Sequence, residues 1–169
     1  MALVSIVMGS KSDLETVSKA FKVLKELEIP YEIRILSAHR TPEELLSYIK
    51  EAERKGVKVF IAAAGGAAHL PGVIASHTTL PVIGLPIKSP DLGGLDSLLS
   101  MVQMPSGVPV AVVGINRAEN AALLAAQILS IENDDIKKAI SKRRKKMKEK
   151  VISANVEVKE LARGKNEEG

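Results

Sequence analysis

The sequence predicts a single α/β domain, built as a doubly wound parallel sheet in three layers (α/β/α), with a C-terminal helical tail. Short β-rich runs alternate with helical patterns, which is typical of strands joined by crossover helices. The runs VFIAAA and AVVG have no polar alternation, as expected when both faces of a strand are covered. The length of 169 residues suits one domain.

Each element has its own signal in the sequence. Ser12 and Glu15 have the spacing of a capping box before the first helix, and Thr41, Pro42 and Glu44 open the second. Asn116 and Glu119 repeat this pattern before the helix that contains NAALLAAQIL, which is apolar around most of its circumference. Short connections between strands and helices require parallel pairing. The predicted strands are residues 2–8, 31–36, 57–64, 81–85 and 108–114.

The chain divides by pattern into three parts. Residues 1–132 are expected to form the catalytic α/β domain. Residues 133–161 are expected to form a helical extension that packs on the domain or on a neighbouring subunit, and residues 162–169 are expected to fray. The apolar stripe of the extension is thin and consists of Ile136, Ile140, Met147 and Val151.

Composition excludes several classes of protein. The absence of cysteine excludes disulfides, thiolate catalysis and cysteine-based zinc sites. No apolar run reaches the roughly 18 residues of a membrane span, and the first residues lack the sections of a signal peptide. We therefore expect a soluble, cytoplasmic protein without a membrane partner.

The positive charge is concentrated in the tail. Residues 137–150 hold nine Lys or Arg and one Glu, which leaves 15 basic and 19 acidic residues for the rest of the chain. With four aromatic residues in total and none beside this run, a solvated helix face is favoured over a nucleic-acid surface. We expect no nucleic-acid partner.

The segment GSKSD follows the first predicted strand. Gly9 permits a tight turn, and Ser10 and Ser12 place hydroxyl groups beside the free N–H groups of a helix N-terminus, which is a site for a phosphate. Asp13 suits sugar hydroxyls better than phosphate. The patterns G-x-G-x-x-G and G-x-x-x-x-G-K-[ST] are absent, so this turn implies neither NAD nor ATP. Simple capping by Ser12 and a helix-dipole role for Asp13 stay open.

Two further segments follow the next strands. In SAHRTP, Arg40 can pair with the same phosphate, and His39 can carry a proton near neutral pH, although a structural histidine stays the alternative. In AAAGGAAHLPG, small residues leave a water-poor surface, and His69 is equally compatible with capping and with substrate contact. His77 is interpreted as structural. The three histidines lack metal-ligand spacing, so we expect no metal.

These motifs resemble the class I N5-carboxyaminoimidazole ribonucleotide mutases, the PurE family of purine biosynthesis. The resemblance covers about residues 2–132 and also includes SLLSMVQMPSGVPV before NAALLAAQIL. Class II relatives, which carboxylate aminoimidazole ribonucleotide directly with CO2, typically have lysine and glycine after the histidine and a different glycine loop. This chain has Arg40, Thr41, Pro42 and the AAHLPG loop, so it resembles the mutases, whereas its basic tail departs from the family pattern.

The resemblance implies the roles of the candidate residues. His39 matches the family's general acid/base, and Ser10, Asp13 and Arg40 match positions that bind phosphate and ribose. The implied reaction releases CO2 from the substrate carbamate, traps it and adds it to C4 without metal, ATP, biotin or other cofactor. Family members are typically homo-octamers. The full set of candidate substrate-binding residues is Gly9, Ser10, Ser12, Asp13, Ser37, Arg40, Gly65, Gly66, Ala67, His69 and Leu70.

Three other interpretations stay open. A direct aminoimidazole ribonucleotide carboxylase would use the same pocket with free CO2. A flavodoxin-like α/β/α scaffold also suits a non-enzymatic phospho-ligand or FMN-binding module, against which the lack of aromatic residues counts. A phosphoacceptor regulator is disfavoured because the first strand ends in Met8 and Gly9 without an acidic pair for Mg²⁺.

Overall fold

The computed structural model describes residues 1–167 and the side chains of residues 1–161. Within these residues, strands and helices alternate up to the last helix, and a short 3-10 turn at Lys11–Asp13 precedes the first helix. The strands are β1 Val4–Met8, β2 Tyr31–Ile35, β3 Val59–Ala64, β4 Val82–Pro86 and β5 Ala111–Val112. The helices are α1 Leu14–Glu26, α2 Pro42–Arg54, α3 Leu70–Ala75, α4 Leu95–Val102, α5 Ala118–Leu129 and α6 Asp134–Glu167.

The five strands form one parallel sheet in the order β2-β1-β3-β4-β5. After β2 the chain crosses back over β1 to begin β3 on its other side. This reversal of winding leaves a crevice at the carboxyl ends of β1 and β3, where ligands bind in open α/β sheets. The predicted doubly wound, flavodoxin-like parallel fold is confirmed.

Helices cover both faces of the sheet, and β3 shows how its residues serve the two cores. All six residues of β3 are buried. Ile61 and Ala63 pack in the core that includes α1 and α5, whereas Phe60 and Ala62 pack in the core that includes α2 and α3. Because side chains alternate along a strand, an uninterrupted apolar run serves both layers.

The fifth strand differs from its prediction. It covers only Ala111–Val112 instead of residues 108–114 and pairs with β4 alone. Pro109 has no N–H to donate to a ladder, which shortens the pairing segment. Ala111 is exposed and Val112 is half-buried, so the expectation that AVVG is covered on both faces is wrong for this edge strand.

The capping predictions are also corrected. Ser10, rather than Ser12, accepts a backbone hydrogen bond, from the N–H of Ser12 in the 3-10 turn, and α1 starts only at Leu14. Thr41 makes no cap on α2, although Pro42 occupies the first turn as predicted. Asn116 lies in the left-handed region with φ of 58° and precedes α5 without capping it. These polar side chains bond within the loops instead.

The last two helices pack on the outside of the α1 layer. The alanine face of α5 is buried, and Ile136 and Ile140 of α6 are each 8% exposed against the same core. Arg143 forms an ion pair with Glu26 of α1. Further along α6, Met147 is 55% exposed, so the helix extends beyond the domain. Packing on a neighbouring subunit and fraying of residues 162–169 stay predictions, and residues 168–169 lie outside the described residues.

None of the helices within residues 1–167 combines the length and apolar content required to cross a bilayer.

Candidate active site

A cavity of about 530 Å³ lies at the carboxyl ends of the strands. The loops after β1, β2, β3 and β4 all contribute to its lining, as the strand-end rule predicts. Of the candidate residues, Ala67 is exposed and does not line the cavity. The candidates that do line it are Gly9, Ser10, Ser12, Asp13, Ser37, His39, Arg40, Gly65, Gly66, His69 and Leu70.

The turn after β1 presents hydroxyl groups and a buried carboxyl. The hydroxyl of Ser12 lies 2.9 Å from Oγ of Ser10 and 3.2 Å from Oδ1 of Asp13. Asp13 is 8% exposed, and this burial raises its pKa, while Ser12, Ser10 and Arg40 act in the lowering direction. A poorly solvated acceptor at the cavity wall gains most from hydroxyl donors on a ligand.

The loop after β2 is locked by reciprocal hydrogen bonds. Oγ of Ser37 accepts the N–H groups of His39 at 3.3 Å and Arg40 at 3.2 Å. Oγ1 of Thr41 accepts the N–H of Ser37 at 2.9 Å and lies 3.2 Å from the Ser37 carbonyl. This explains why Thr41 is not a helix cap. The lock fixes the backbone that carries the histidine and arginine.

Arg40 lies across the ends of β1 and β2. Its Nη2 donates to the carbonyl of Gly9 at 2.9 Å, and its Nε donates to Oγ of Ser37 at 3.4 Å. Three of the five guanidinium N–H groups remain for other acceptors. The guanidinium is therefore anchored beside the hydroxyl-rich turn and can still pair with an anion.

His39 and His69 come together from loops that are 30 residues apart in sequence. Nε2 of His39 lies 2.6 Å from Nδ1 of His69, and the rings meet edge to face with centroids 4.8 Å apart. One nitrogen donates and the other accepts, and the tautomers of the two rings decide which. His69 makes no helix cap. His77 lies outside the cavity, with Nδ1 2.9 Å from the Val73 carbonyl.

The turn after β3 forms the small-residue wall of the cavity. Gly66 and Ala68 have positive φ angles of 60° and 42°, and the Ala68 N–H donates to the Gly65 carbonyl at 3.2 Å. A left-handed alanine is strained, and here its side chain is 3% exposed. The result is a tight turn that presents backbone and methyl groups, rather than bulky or charged side chains, to the cavity.

The loop after β4 supplies lining residues that sequence reasoning did not select. Oγ of Ser89 donates to Oδ1 of Asp96 at 2.7 Å, which ties the loop to α4. Lys88 and Asp91 also line the cavity. These residues belong to the segment PIKSPDLGG, which reaches this edge of the sheet because it follows a strand, but no residue in it carries a motif signal of its own.

No group of three histidine, aspartate or glutamate side chains within the described residues is arranged to hold a metal ion. The expectation of a metal-free site stays a prediction.

Comparisons with known proteins place the chain in a family. The sequence profile of the family described as AIR carboxylase matches residues 3–150. The chain belongs to the AIR carboxylase family. An N5-carboxyaminoimidazole ribonucleotide mutase from Pyrococcus horikoshii is 60% identical over 149 residues, which cover 88% of this chain and 84% of the relative.

Two further similar proteins are a relative with a different named activity and a solved structure. A phosphoribosylaminoimidazole carboxylase from Candida glabrata is 51% identical over 150 residues, which are 89% of this chain and 26% of that longer protein. The crystal structure of PurE from Treponema denticola has a TM-score of 0.84 and 36% identity, covering 90% of this chain and 96% of that one. The resemblance inferred from the motifs is therefore confirmed.

Proposed function

We propose that this protein is an N5-carboxyaminoimidazole ribonucleotide mutase of purine biosynthesis, an isomerase that moves a carboxyl group from the exocyclic nitrogen to C4. The observation that carries the proposal is the convergence of the GSKSD, SAHRTP and GGAAHLPG loops on one cavity. The 60% identity to a mutase from Pyrococcus horikoshii supports it independently.

The charged and polar groups of the substrate determine its position in the cavity. Its phosphate binds Ser10, Ser12 and the guanidinium of Arg40, because hydroxyls, free N–H groups and a cation meet there. Its ribose hydroxyls donate to Asp13. The imidazole then lies over the small-residue turn of β3, one strand further along the sheet, where neighbouring strands are about 4.8 Å apart.

The reaction requires no external reactant. The bond between nitrogen and the carbamate carbon breaks, CO2 is released, and the nitrogen takes up one proton. The electron-rich C4 then attacks the carbon of CO2, a carbon–carbon bond forms, and C4 loses its proton to restore aromaticity. One proton is therefore taken up and one released, and the product is an isomer of the substrate.

His39 is the proton carrier in this scheme. Its imidazolium protonates the nitrogen as CO2 leaves, and the resulting imidazole accepts the C4 proton. The contact of its Nε2 with His69 shows that this nitrogen faces another cavity residue, and the substrate replaces that contact. A positioned acid/base contributes about 10² to 10⁴ in rate, and holding CO2 beside C4 makes the recombination effectively unimolecular.

The small-residue wall supports trapping of CO2. Ala64 and Ala68 are 7% and 3% exposed and line the cavity with Leu70 and Ile87. Neutral CO2 is held by such a surface through packing, and the surface offers few partners for water.

We also propose a cytoplasmic homo-octamer, as the resemblance implies. Leu95, Leu99 and Val102 of α4 are each 47 to 51% exposed, and their shared face supports burial in an assembly. Equilibrium sedimentation of the full chain checks the subunit number.

Substitution of His39 tests the chemical role. His39→Asn is expected to reduce turnover at least 10²-fold while binding of aminoimidazole ribonucleotide persists, because the phosphate and ribose sites are unchanged. The matched control is His77→Asn, since His77 lies outside the cavity. Turnover is followed by formation of the 4-carboxy product. A near-normal rate for the His39 variant would contradict the assignment.

A comparison of two starting materials separates the mutase from a carboxylase, the activity named for the relative from Candida glabrata. The N5-carbamate and aminoimidazole ribonucleotide with limiting bicarbonate are each supplied without ATP. Rapid conversion of the carbamate with poor use of dilute CO2 is expected. Efficient use of CO2 without catalysed carbamate conversion would refute the mutase, and inactivity toward both would refute the enzyme.

A further inference from the structure

Lys88 is a cavity residue whose position is set from two sides. It lies two residues after the end of β4, and its backbone N–H donates to Oδ1 of Asn116 at 2.9 Å. Asn116 in turn donates its own N–H to the carbonyl of Pro86 at 2.8 Å. A Cβ added to Gly94 would lie 3.1 Å from the Cα of Lys88. The backbone of this lysine is therefore held in place, although it stands in a loop.

Among the residues that line the cavity, Arg40 and Lys88 carry the positive charges of arginine and lysine. Arg40 is committed in part to Gly9 and Ser37. Within the described residues, Lys88 forms no ion pair with any carboxylate, although Asp91 and Asp96 line the same cavity. Its ammonium group is thus available to an anion supplied by a ligand.

The two cations reach the cavity from different strands. The guanidinium of Arg40 bonds the Gly9 carbonyl at the end of β1, and Lys88 stands in the loop after β4, with β3 between these strands in the sheet. Two strand intervals correspond to about 10 Å. The small-residue turn at Gly65–Ala68 lies between the two loops. This arrangement suits a ligand with an anionic group at each end and a flat, uncharged middle.

We propose that Lys88 binds the carboxylate of the substrate and of the product, while Arg40 binds the phosphate. The inference rests on the proposed mutase function and adds a substrate-binding residue to it. The migrating carboxyl group is an anion before and after the reaction and is neutral as CO2 between the two states. A cation at this point stabilises the substrate and product carboxylates together, and it gives no advantage to neutral CO2.

Lys88 in this role is expected to affect KM and kcat differently. Loss of the ammonium group raises the KM for both carboxylated nucleotides and leaves kcat unchanged or higher, because the contact stabilises the bound carboxylates and not the path through neutral CO2. Aminoimidazole ribonucleotide has no carboxylate, so its affinity is independent of Lys88. For a partly solvated charge-assisted contact, the expected loss of affinity is about 5- to 20-fold.

The test compares two ligands in four proteins. Calorimetric binding of the 4-carboxy nucleotide and of aminoimidazole ribonucleotide is measured for the wild type, Lys88→Gln, Lys88→Arg and the control Lys58→Gln. Lys58 is exposed, lies just before β3 at the opposite end of the sheet and does not line the cavity. The KM and kcat of carbamate conversion are measured on the same preparations.

The proposal is supported if Lys88→Gln weakens binding of the carboxylated nucleotide alone and Lys88→Arg restores that binding. It is overturned if Lys88→Gln weakens the binding of both nucleotides equally, if it weakens the binding of neither, or if kcat falls while KM is unchanged. Absence of carbamate conversion in the wild type refutes the proposed function instead, and the two failures are therefore distinguished.

Discussion

Replacement of Arg40 by glutamine tests the anionic anchor of the proposed site. The change removes a charge, the 2.9 Å bond to the Gly9 carbonyl and the 3.4 Å contact with Ser37. The loop keeps its backbone bonds to the Ser37 hydroxyl and its lock through Thr41. Because Arg40 is exposed, we expect its own contacts to contribute only about 0.5 to 1.5 kcal/mol to the stability of the fold.

The effect on ligand binding is expected to be larger. Three guanidinium N–H groups of Arg40 remain after its contacts with Gly9 and Ser37, and two of them can bond a phosphate in parallel. Hydrogen bonds to charged groups contribute about 1.5 to 3 kcal/mol each, and exposure to solvent reduces that figure. A net loss of about 2 to 4 kcal/mol corresponds to binding that is roughly 30- to 1,000-fold weaker.

The assay measures affinity for aminoimidazole ribonucleotide and for its 4-carboxy product. Both are expected to weaken together in Arg40→Gln, since both carry the phosphate, whereas Lys88→Gln affects the carboxylated nucleotide alone. Arg54→Gln is the control, because Arg54 is also exposed and donates to a backbone carbonyl, that of Lys50, outside the cavity. Wild-type affinity of Arg40→Gln for both nucleotides would refute the phosphate assignment.

Two further predictions concern buried polar groups. Burial raises the pKa of Asp13 above its ordinary value of 3.8, so the folded state holds the carboxyl proton more tightly than the unfolded state. The contribution of protonated Asp13 to folding stability is therefore present at low pH and is lost as the pH rises from 3.8 through the raised pKa. In the absence of ligand, the Asp13→Asn variant should melt at a higher temperature than the wild type at pH 7 but not at pH 3. The same difference in melting temperature at both pH values would disprove the reasoning. Tyr48→Phe removes the hydroxyl that lies 2.6 Å from Oγ of the fully buried Ser5, and it should cost about 1 to 3 kcal/mol in urea unfolding. The double variant Tyr48→Phe, Ser5→Ala should recover part of this stability, because no buried hydroxyl is then left without its partner. If the losses of stability in the two single variants simply add in the double variant, the two hydroxyls do not stabilise the fold through their contact.

The fold and most of the site were predictable because strand ends converge by topology. In a parallel sheet, segments such as GSKSD and SAHRTP that follow neighbouring strands must meet at one edge, whatever their separation in sequence. β1 and β2 are neighbours, with Met8 in register with Ile35. A motif that follows a strand is thus placed by strand order alone. His39, Arg40 and Asp13 line one cavity for this reason.

Side-chain partnerships were less predictable because they depend on loop geometry. The contact of His39 with His69 joins two loops and leaves no periodic signal. Ser12, Thr41 and Asn116 have the residue types of helix caps, but each bonds within the site loops or to a neighbouring loop. Propensity describes which bonds a side chain can make, and tertiary structure selects among them.

Lys88 bears on the choice between the two chemistries found in this family. A direct carboxylase must capture CO2, which is neutral and gains little from an ammonium group, whereas a mutase must capture a carbamate that already carries a negative charge. Arg40 and Lys88, on either side of the small-residue surface in strand order, suit a nucleotide that is anionic at both ends. In the proposed mechanism, Arg40 still holds the phosphate after the carboxylate becomes CO2, so C4 stays beside the released molecule. With Lys88 in the proposed role, the charges of the cavity favour binding of a nucleotide that already carries a carboxylate over capture of CO2 from solution.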